Sequence, residues 1–100
     1  NDGYPVTVGH TLIITKRHTP NWFTMTELER QHSDELLRVL RKRLTAADKS
    51  IVGFNVGTNA GVAAGQTVMH AHIHLIPRRE DDTSNPRGGV RGVVPSMMNY

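Results

Sequence analysis

The chain has 100 residues, 37% of them hydrophobic, with no cysteine and a net charge of +3 when its histidines are neutral. That length suits one compact domain with a modest core, and the apolar fraction argues against wholesale disorder. Without cysteine, these residues make no disulfide, no thiolate nucleophile and no cysteine-ligated zinc site. No apolar run nears the roughly 18 residues of a membrane span. The small positive charge favours anionic partners without naming them. Part of it, Arg38, Arg41, Lys42 and Arg43, reads as a solvated helix face.

In chain order, Gly9 to Thr15 reads as a buried strand, apolar and β-branched. Lys16 to Pro20 reads as a loop. Thr24 with Glu27, and Thr26 with Glu29, both have capping-box spacing. A helix from about Thr26 to Ala47 follows, with Leu36, Leu40 and Leu44 recurring every four residues and Leu37 and Val39 widening the stripe. Ile51 to Val56 reads as a second strand. Gly57 to Gly65 is a turn-rich glycine loop, and Thr67 to Ile76 a third strand ended by Pro77. Arg78 to Tyr100 reads as an irregular tail that needs a surface to order it. A tight loop between the last two strands suggests a hairpin and hence an antiparallel sheet. The expected fold class is α+β, an antiparallel sheet with one long helix packed on it. Residues 1–77 form its core, and 78–100 a tail of the same domain.

Within the third strand, His70, His72 and His74 alternate with apolar residues. Strand side chains alternate faces, so the three imidazoles share one face and Met69, Ala71, Ile73 and Leu75 turn to a core. Imidazole is a base, a nucleophile and a metal ligand near neutral pH. A purely structural row would need many hydrogen-bond partners. A metal site would draw on a His-x-His pair with His10, but no acid lies beside the strand before Glu80. The remaining reading is nucleophilic attack on phosphorus. Just upstream, Gly65 permits close approach of the backbone, and Gln66 and Thr67 can donate to phosphate oxygens.

These motifs, Gly9-His10-Thr11-Leu12-Ile13-Ile14, Asn59-Ala60-Gly61, Gly65-Gln66-Thr67-Val68 and His70-x-His72-x-His74, closely resemble the histidine-triad family of nucleotide hydrolases and transferases. The tail Asn85-Pro86-Arg87-Gly88-Gly89-Val90-Arg91 looks like a bacterial branch often described as diadenosine polyphosphate hydrolases. The resemblance implies that His72 attacks the α-phosphorus and carries a nucleotidyl intermediate, which water then releases as a nucleoside monophosphate. His70 and His74 match flanking histidines that orient the nucleophile and bind phosphate, and His10 matches a supporting histidine behind them. Asn59, Gln66 and Thr67 match phosphate donors, Asp2 a ribose contact and Leu12 an apolar residue near the base. A related phosphorylase branch carries glutamine at the third histidine position, so His74 points to transfer to water.

The resemblance further implies a homodimer, made by joining two sheets into one, and a cytoplasmic location. It implies no tightly bound metal, with magnesium on the substrate as an aid. Family domains begin before the position of Asn1, so the expected fold has its N-terminal part, and with it some of the base pocket, missing. The function implied is hydrolysis of a phosphoanhydride or phosphoramidate bond at the α-phosphate of a purine nucleotide conjugate of the diadenosine polyphosphate type. Alternatives within the family are adenosine phosphoramidate hydrolysis and nucleotidyl transfer. From other classes, the alternatives are a metal-binding module and a nucleic-acid-binding module using Arg78, Arg79, Arg87 and Arg91, which the nearby Glu80, Asp81 and Asp82 weaken. For the tail, contact with distal phosphates or a partner subunit is preferred to nucleic-acid docking, with a flexible solvated terminus an equal alternative. Trp22 and Phe23 are expected to pack on the sheet or a dimer mate, and His18 and His32 to lie on the surface.

Overall fold

A computed structural model describes residues 6–98. Strand β1 (Thr11–Ile14) leads through a loop and a short 3-10 turn to the long helix α1 (Glu27–Ala47). Strands β2 (Ile51–Gly57) and β3 (His72–Arg79) follow, and further 3-10 turns at Gly89–Val93 and Pro95–Met97 shape the tail. The sheet order is β1-β3-β2, antiparallel throughout, so the histidine strand is central.

Helix α1 starts where its sequence supplies a cap. Of the two candidate capping boxes, Thr26 with Glu29 forms: the Thr26 hydroxyl accepts from the Glu29 amide at 3.1 Å, and Glu29 accepts from the Thr26 amide at 2.8 Å. The helix faces the sheet with Ser33, Leu37, Leu40 and Leu44, a stripe at i, i+4, i+7 and i+11. Leu36 and Val39, expected in that stripe, stand on its exposed flank. Ser33 is buried, and its hydroxyl is satisfied by the Glu29 carbonyl at 2.9 Å. Ile13, Met25, Ala71 and Ile73 form the core, with Trp22, Leu37 and Leu40 packed against it. Phe23, by contrast, is exposed.

Strand β3 differs from its sequence reading at both ends. It begins at His72, because the residues before it dock elsewhere: the Ala71 amide donates to the Thr19 carbonyl at 2.7 Å. His70 and the exposed Met69 therefore precede the strand. The connection from β2 runs from Thr58 to Ala71, much longer than a tight hairpin loop. At its other end β3 passes through Pro77 to Arg79. A proline removes a ladder donor, which normally excludes it from a central strand. Here β1 has already ended, since its last pair with β3 is Thr11 with Leu75. The Pro77 carbonyl, on that side, accepts from the Thr7 hydroxyl at 2.7 Å. The missing N–H thus falls where no strand needs it.

Candidate active site

Alternation along β3 buries Ala71, Ile73, Leu75 and Pro77 toward the helix and leaves His72, His74, Ile76 and Arg78 half-buried on the opposite face. Directly paired residues of an antiparallel sheet share a face. Leu12 and Gly57 therefore flank His74, Ile14 flanks His72, and Asn55 flanks Ile76. The His72 and His74 rings lie 5.2 Å apart, and His10 lies 5.1 Å from His74.

Hydrogen bonds assign the protons on these rings. His72 Nδ1 is 2.8 Å from the His70 carbonyl, which can only accept. Nδ1 therefore carries the proton of neutral His72, and the lone pair is on Nε2. A second chain begins at the Val6 amide, which donates to His10 Nδ1 at 2.9 Å. His10 Nε2 then holds the proton and donates to His74 Nδ1 at 2.8 Å, which leaves the proton of His74 on Nε2. His10 is 2% exposed, and its ring acts as a buried link between backbone and site. His70 Nε2 donates to the Thr15 carbonyl at 2.7 Å. One face thus carries a lone pair at His72 Nε2 beside the His74 ring, an arrangement suited to attack on an electrophile.

The other residues singled out in the sequence fare differently. Asp2 lies outside the described residues. Leu12 is half-buried beside His74, and Asn59 half-buried near the end of β2. Thr67 is exposed. Gln66 requires a correction. It is 2% exposed, its Nε2 donates to the carbonyls of Pro20 at 2.6 Å and Val68 at 3.0 Å, and its Oε1 accepts from the Gly61 amide at 2.8 Å. An amide NH2 has two protons, and both are taken, so the side chain clamps loops and has no donor left for phosphate.

His18 was read as a surface residue, and it is exposed, but its ring lies 5.1 Å from that of His70. The antiparallel pairing of Ile14 with His72 carries the chain after β1 alongside the chain before β3. That register is the signal by which the neighbourhood could have been found. The loop bearing His18 is anchored by Arg17, which bonds the Thr24 carbonyl at 3.0 Å and Glu29 at 2.8 Å. The Arg17 hydrogen bond, with that from the Thr26 amide, holds the Glu29 carboxyl down to about 2. Among the described residues, no group of three or more His, Cys, Asp or Glu is placed to hold a metal ion, and no helix is long and apolar enough to cross a membrane.

A cavity of about 500 Å³ opens on the histidine face. It starts at His10, His74 and Asn59, passes over Ile76 and reaches Arg78 and Asn55, with the tail turn Gly89–Val93 as its facing side. The tail arginines are engaged internally. Arg78 pairs with Asp82 at 2.7 Å and bonds the Asn55 side-chain oxygen at 2.6 Å, Arg79 pairs with Asp48 at 2.9 Å, and Arg91 bonds the Met97 carbonyl at 3.1 Å. The Arg78 hydrogen bonds hold the Asp82 carboxyl down to about 2.

The HIT domain model, the histidine-triad family, matches residues 1–81. An uncharacterized HIT-like protein of Borreliella burgdorferi is 38% identical over 82 residues, covering 78% of this chain and 57% of its own length. The asymmetrical bis(5'-nucleosyl)-tetraphosphatase of Schizosaccharomyces pombe is 38% identical over 82 residues, covering 80% of this chain and 43% of its own. A solved HIT family protein of Bacillus anthracis has a TM-score of 0.72 at 40% identity, over 77% of this chain and 54% of that one. The chain spans about half the length of the curated relatives it matches. A family match over most of the residues, and a sheet and helix shared with solved members, show that the chain belongs to the HIT domain family.

Proposed function

We propose that the protein hydrolyses a phosphoanhydride or phosphoramidate bond at the α-phosphate of a purine nucleotide conjugate of the diadenosine polyphosphate type. The observation that carries this reading is the bond from His72 Nδ1 to the His70 carbonyl, which puts the lone pair on Nε2. In the first step that lone pair attacks the α-phosphorus, and the bond to the leaving group breaks with its electron pair. The leaving group takes a proton from solvent where its own basicity requires one. His74 Nε2–H donates to a non-bridging phosphate oxygen, and His70 and Thr67 complete the phosphate's surroundings. In the second step water attacks the same phosphorus and gives up a proton to solvent, the P–N bond breaks with its electron pair returning to Nε2, and neutral His72 is regenerated with release of the nucleoside monophosphate. Dividing one displacement into two is what covalent catalysis supplies.

Leu12 lies beside the base in this reading, Asp2 contacts the ribose and Asn59 the phosphate. Catalysis uses no tightly bound metal, and magnesium accompanies the substrate. The internal pairing of Arg78, Arg79 and Arg91 favours the hydrolase over a nucleic-acid-binding module. A second copy of the chain pairs along the outer edge of β2, which has no neighbour among the described strands and exposes Val52 and Val56. Such substrates place the work in the cytoplasm.

The test is His72→Ala assayed on diadenosine tetraphosphate and adenosine phosphoramidate. Loss of at least about 10³-fold in kcat is expected, because a nucleophile acts only in the reaction itself. Protein quenched during turnover should carry a nucleotidyl mass on the peptide containing His72. Undiminished turnover by the variant refutes the assignment.

A further inference from the structure

We infer that Thr19 is a positioning residue for the nucleophile, and that it acts through the peptide group joining His70 to Ala71. The inference rests on the reading of His72 as the nucleophile and extends it to a buried residue outside the histidine row. The His70 carbonyl accepts from His72 Nδ1 at 2.8 Å and so keeps the lone pair on Nε2. Without that acceptor the proton is free to sit on Nε2, where it blocks attack. What aims the carbonyl is the other end of its own peptide group.

A peptide unit is planar and nearly always trans, so its C=O and N–H point in opposite directions. The N–H of this unit belongs to Ala71, and it donates to the Thr19 carbonyl at 2.7 Å. Drawing the N–H toward Thr19 turns the C=O toward His72. The bond to Thr19 also polarises the peptide, which strengthens its carbonyl as an acceptor. Ala71 is 1% exposed, so little water competes for its amide. The His70 side chain fixes the same residue from a second direction, with Nε2 2.7 Å from the Thr15 carbonyl. Thr15 and Thr19 thus grip His70 and Ala71 from the two ends of one loop, between β1 and the 3-10 turn at Trp22–Thr24.

Thr19 is itself tied down. It is 2% exposed, and its hydroxyl donates to Thr24 Oγ1 at 2.6 Å. Thr24 Oγ1 in turn donates to the Asn21 carbonyl at 2.9 Å, within the capping box of the 3-10 turn. A relay therefore runs from that turn through Thr19 and one peptide group to the nucleophile. Valine has nearly the shape of threonine and lacks the bond, so the hydroxyl is the part of Thr19 that the relay uses.

The test is Thr19→Val, with Thr19→Ser as the variant that keeps the hydroxyl. Thr19→Val should lower kcat about tenfold and leave KM within about twofold, the loss of roughly one well-aimed hydrogen bond from the reacting state. Nitrogen-15 spectra of the imidazoles at about pH 8, where the rings are neutral, read the tautomer directly. They should show His72 as the Nδ1–H form in the wild type and as a mixture of both forms in Thr19→Val. Thr19→Ser should restore both kcat and tautomer. Thr24→Ala removes the same bond from its exposed end and should repeat the shift, and it decides the matter if Thr19→Val does not fold. Wild-type kcat and tautomer in the folded variants overturn the relay, as does a fall in kcat with the His72 tautomer unchanged. A tautomer shift in a protein that hydrolyses no nucleotide conjugate leaves the relay standing and sinks the hydrolase reading. A wild-type His72 with its proton on Nε2 overturns both.

Discussion

Replacing Gln66 separates two roles that its neighbours alone would confuse. As a loop clamp it makes three hydrogen bonds from a side chain 2% exposed, joining Gly61, Pro20 and Val68. Gln66→Ala removes all three and leaves one backbone N–H and two carbonyls short of partners. At about 1 kcal/mol net for each bond, the loss is about 3 kcal/mol, rising toward ~5 kcal/mol if water cannot enter to replace them. Against the ~5–15 kcal/mol that stabilises an ordinary domain, this is a large fraction. For a chain of this size it corresponds to a fall in Tm of roughly 12–24 °C. Gln66→Glu keeps the shape but sets carboxylate oxygen against the Pro20 and Val68 carbonyls, and should be at least as damaging. Urea titration followed by circular dichroism reads the stability, and turnover well below the Tm reads the activity. If Gln66→Ala unfolds within ~0.5 kcal/mol of wild type yet loses turnover, the clamp is wrong and the residue acts on phosphate after all.

Two further outcomes follow from ion pairing and from the open sheet edge. The Asp82 carboxyl is held at about 2 against an ordinary value of 3.8, chiefly by its hydrogen bonds from Arg78. Its folded pKa is the depressed one, so the contribution is fully present above about pH 4 and is lost as pH falls toward about 2. Hydrogen exchange should therefore show the tail amides losing protection across that window, and Asp82→Asn should abolish the pH dependence of that loss; tail protection in wild type unaltered from pH 5 to pH 2 counts against the anchor. For the β2 edge, sedimentation velocity should give a dimer at micromolar concentration, and Val56→Lys should shift it toward monomer. A wild-type monomer at those concentrations removes the pairing proposal.

Local and remote features divided sharply in how far they could be read. The helix start was legible because Thr26 and Glu29 are three residues apart and cap each other within one turn. The face of β3 was legible because a two-residue period is written directly in His72, His74 and their apolar neighbours. The beginning of β3 was not, because Ala71 is drawn to Thr19, fifty-two positions earlier, and not to β2. The stripe on α1 was misjudged by one flank for a similar reason: several leucines satisfy helical spacing, and only the position of the sheet chooses Leu37 over Leu36.

The candidate site shows the same division. Residue types and spacing alone determined the histidine row, the face shared by His72 and His74 and the chemistry open to imidazoles, because alternation and imidazole basicity are properties of short segments. Tertiary structure decided which nitrogen carries each proton, since His10 reaches His74 across sixty-four positions and His70 reaches Thr15 across fifty-five. It turned Gln66 from a phosphate donor into a clamp by bringing Pro20 to it from forty-six positions away. It also laid the tail's valines beside the histidine face. Such partners are chosen by which loops the sheet register brings together, and register is a property of the whole fold, set when the apolar faces of strands and helix are buried at once.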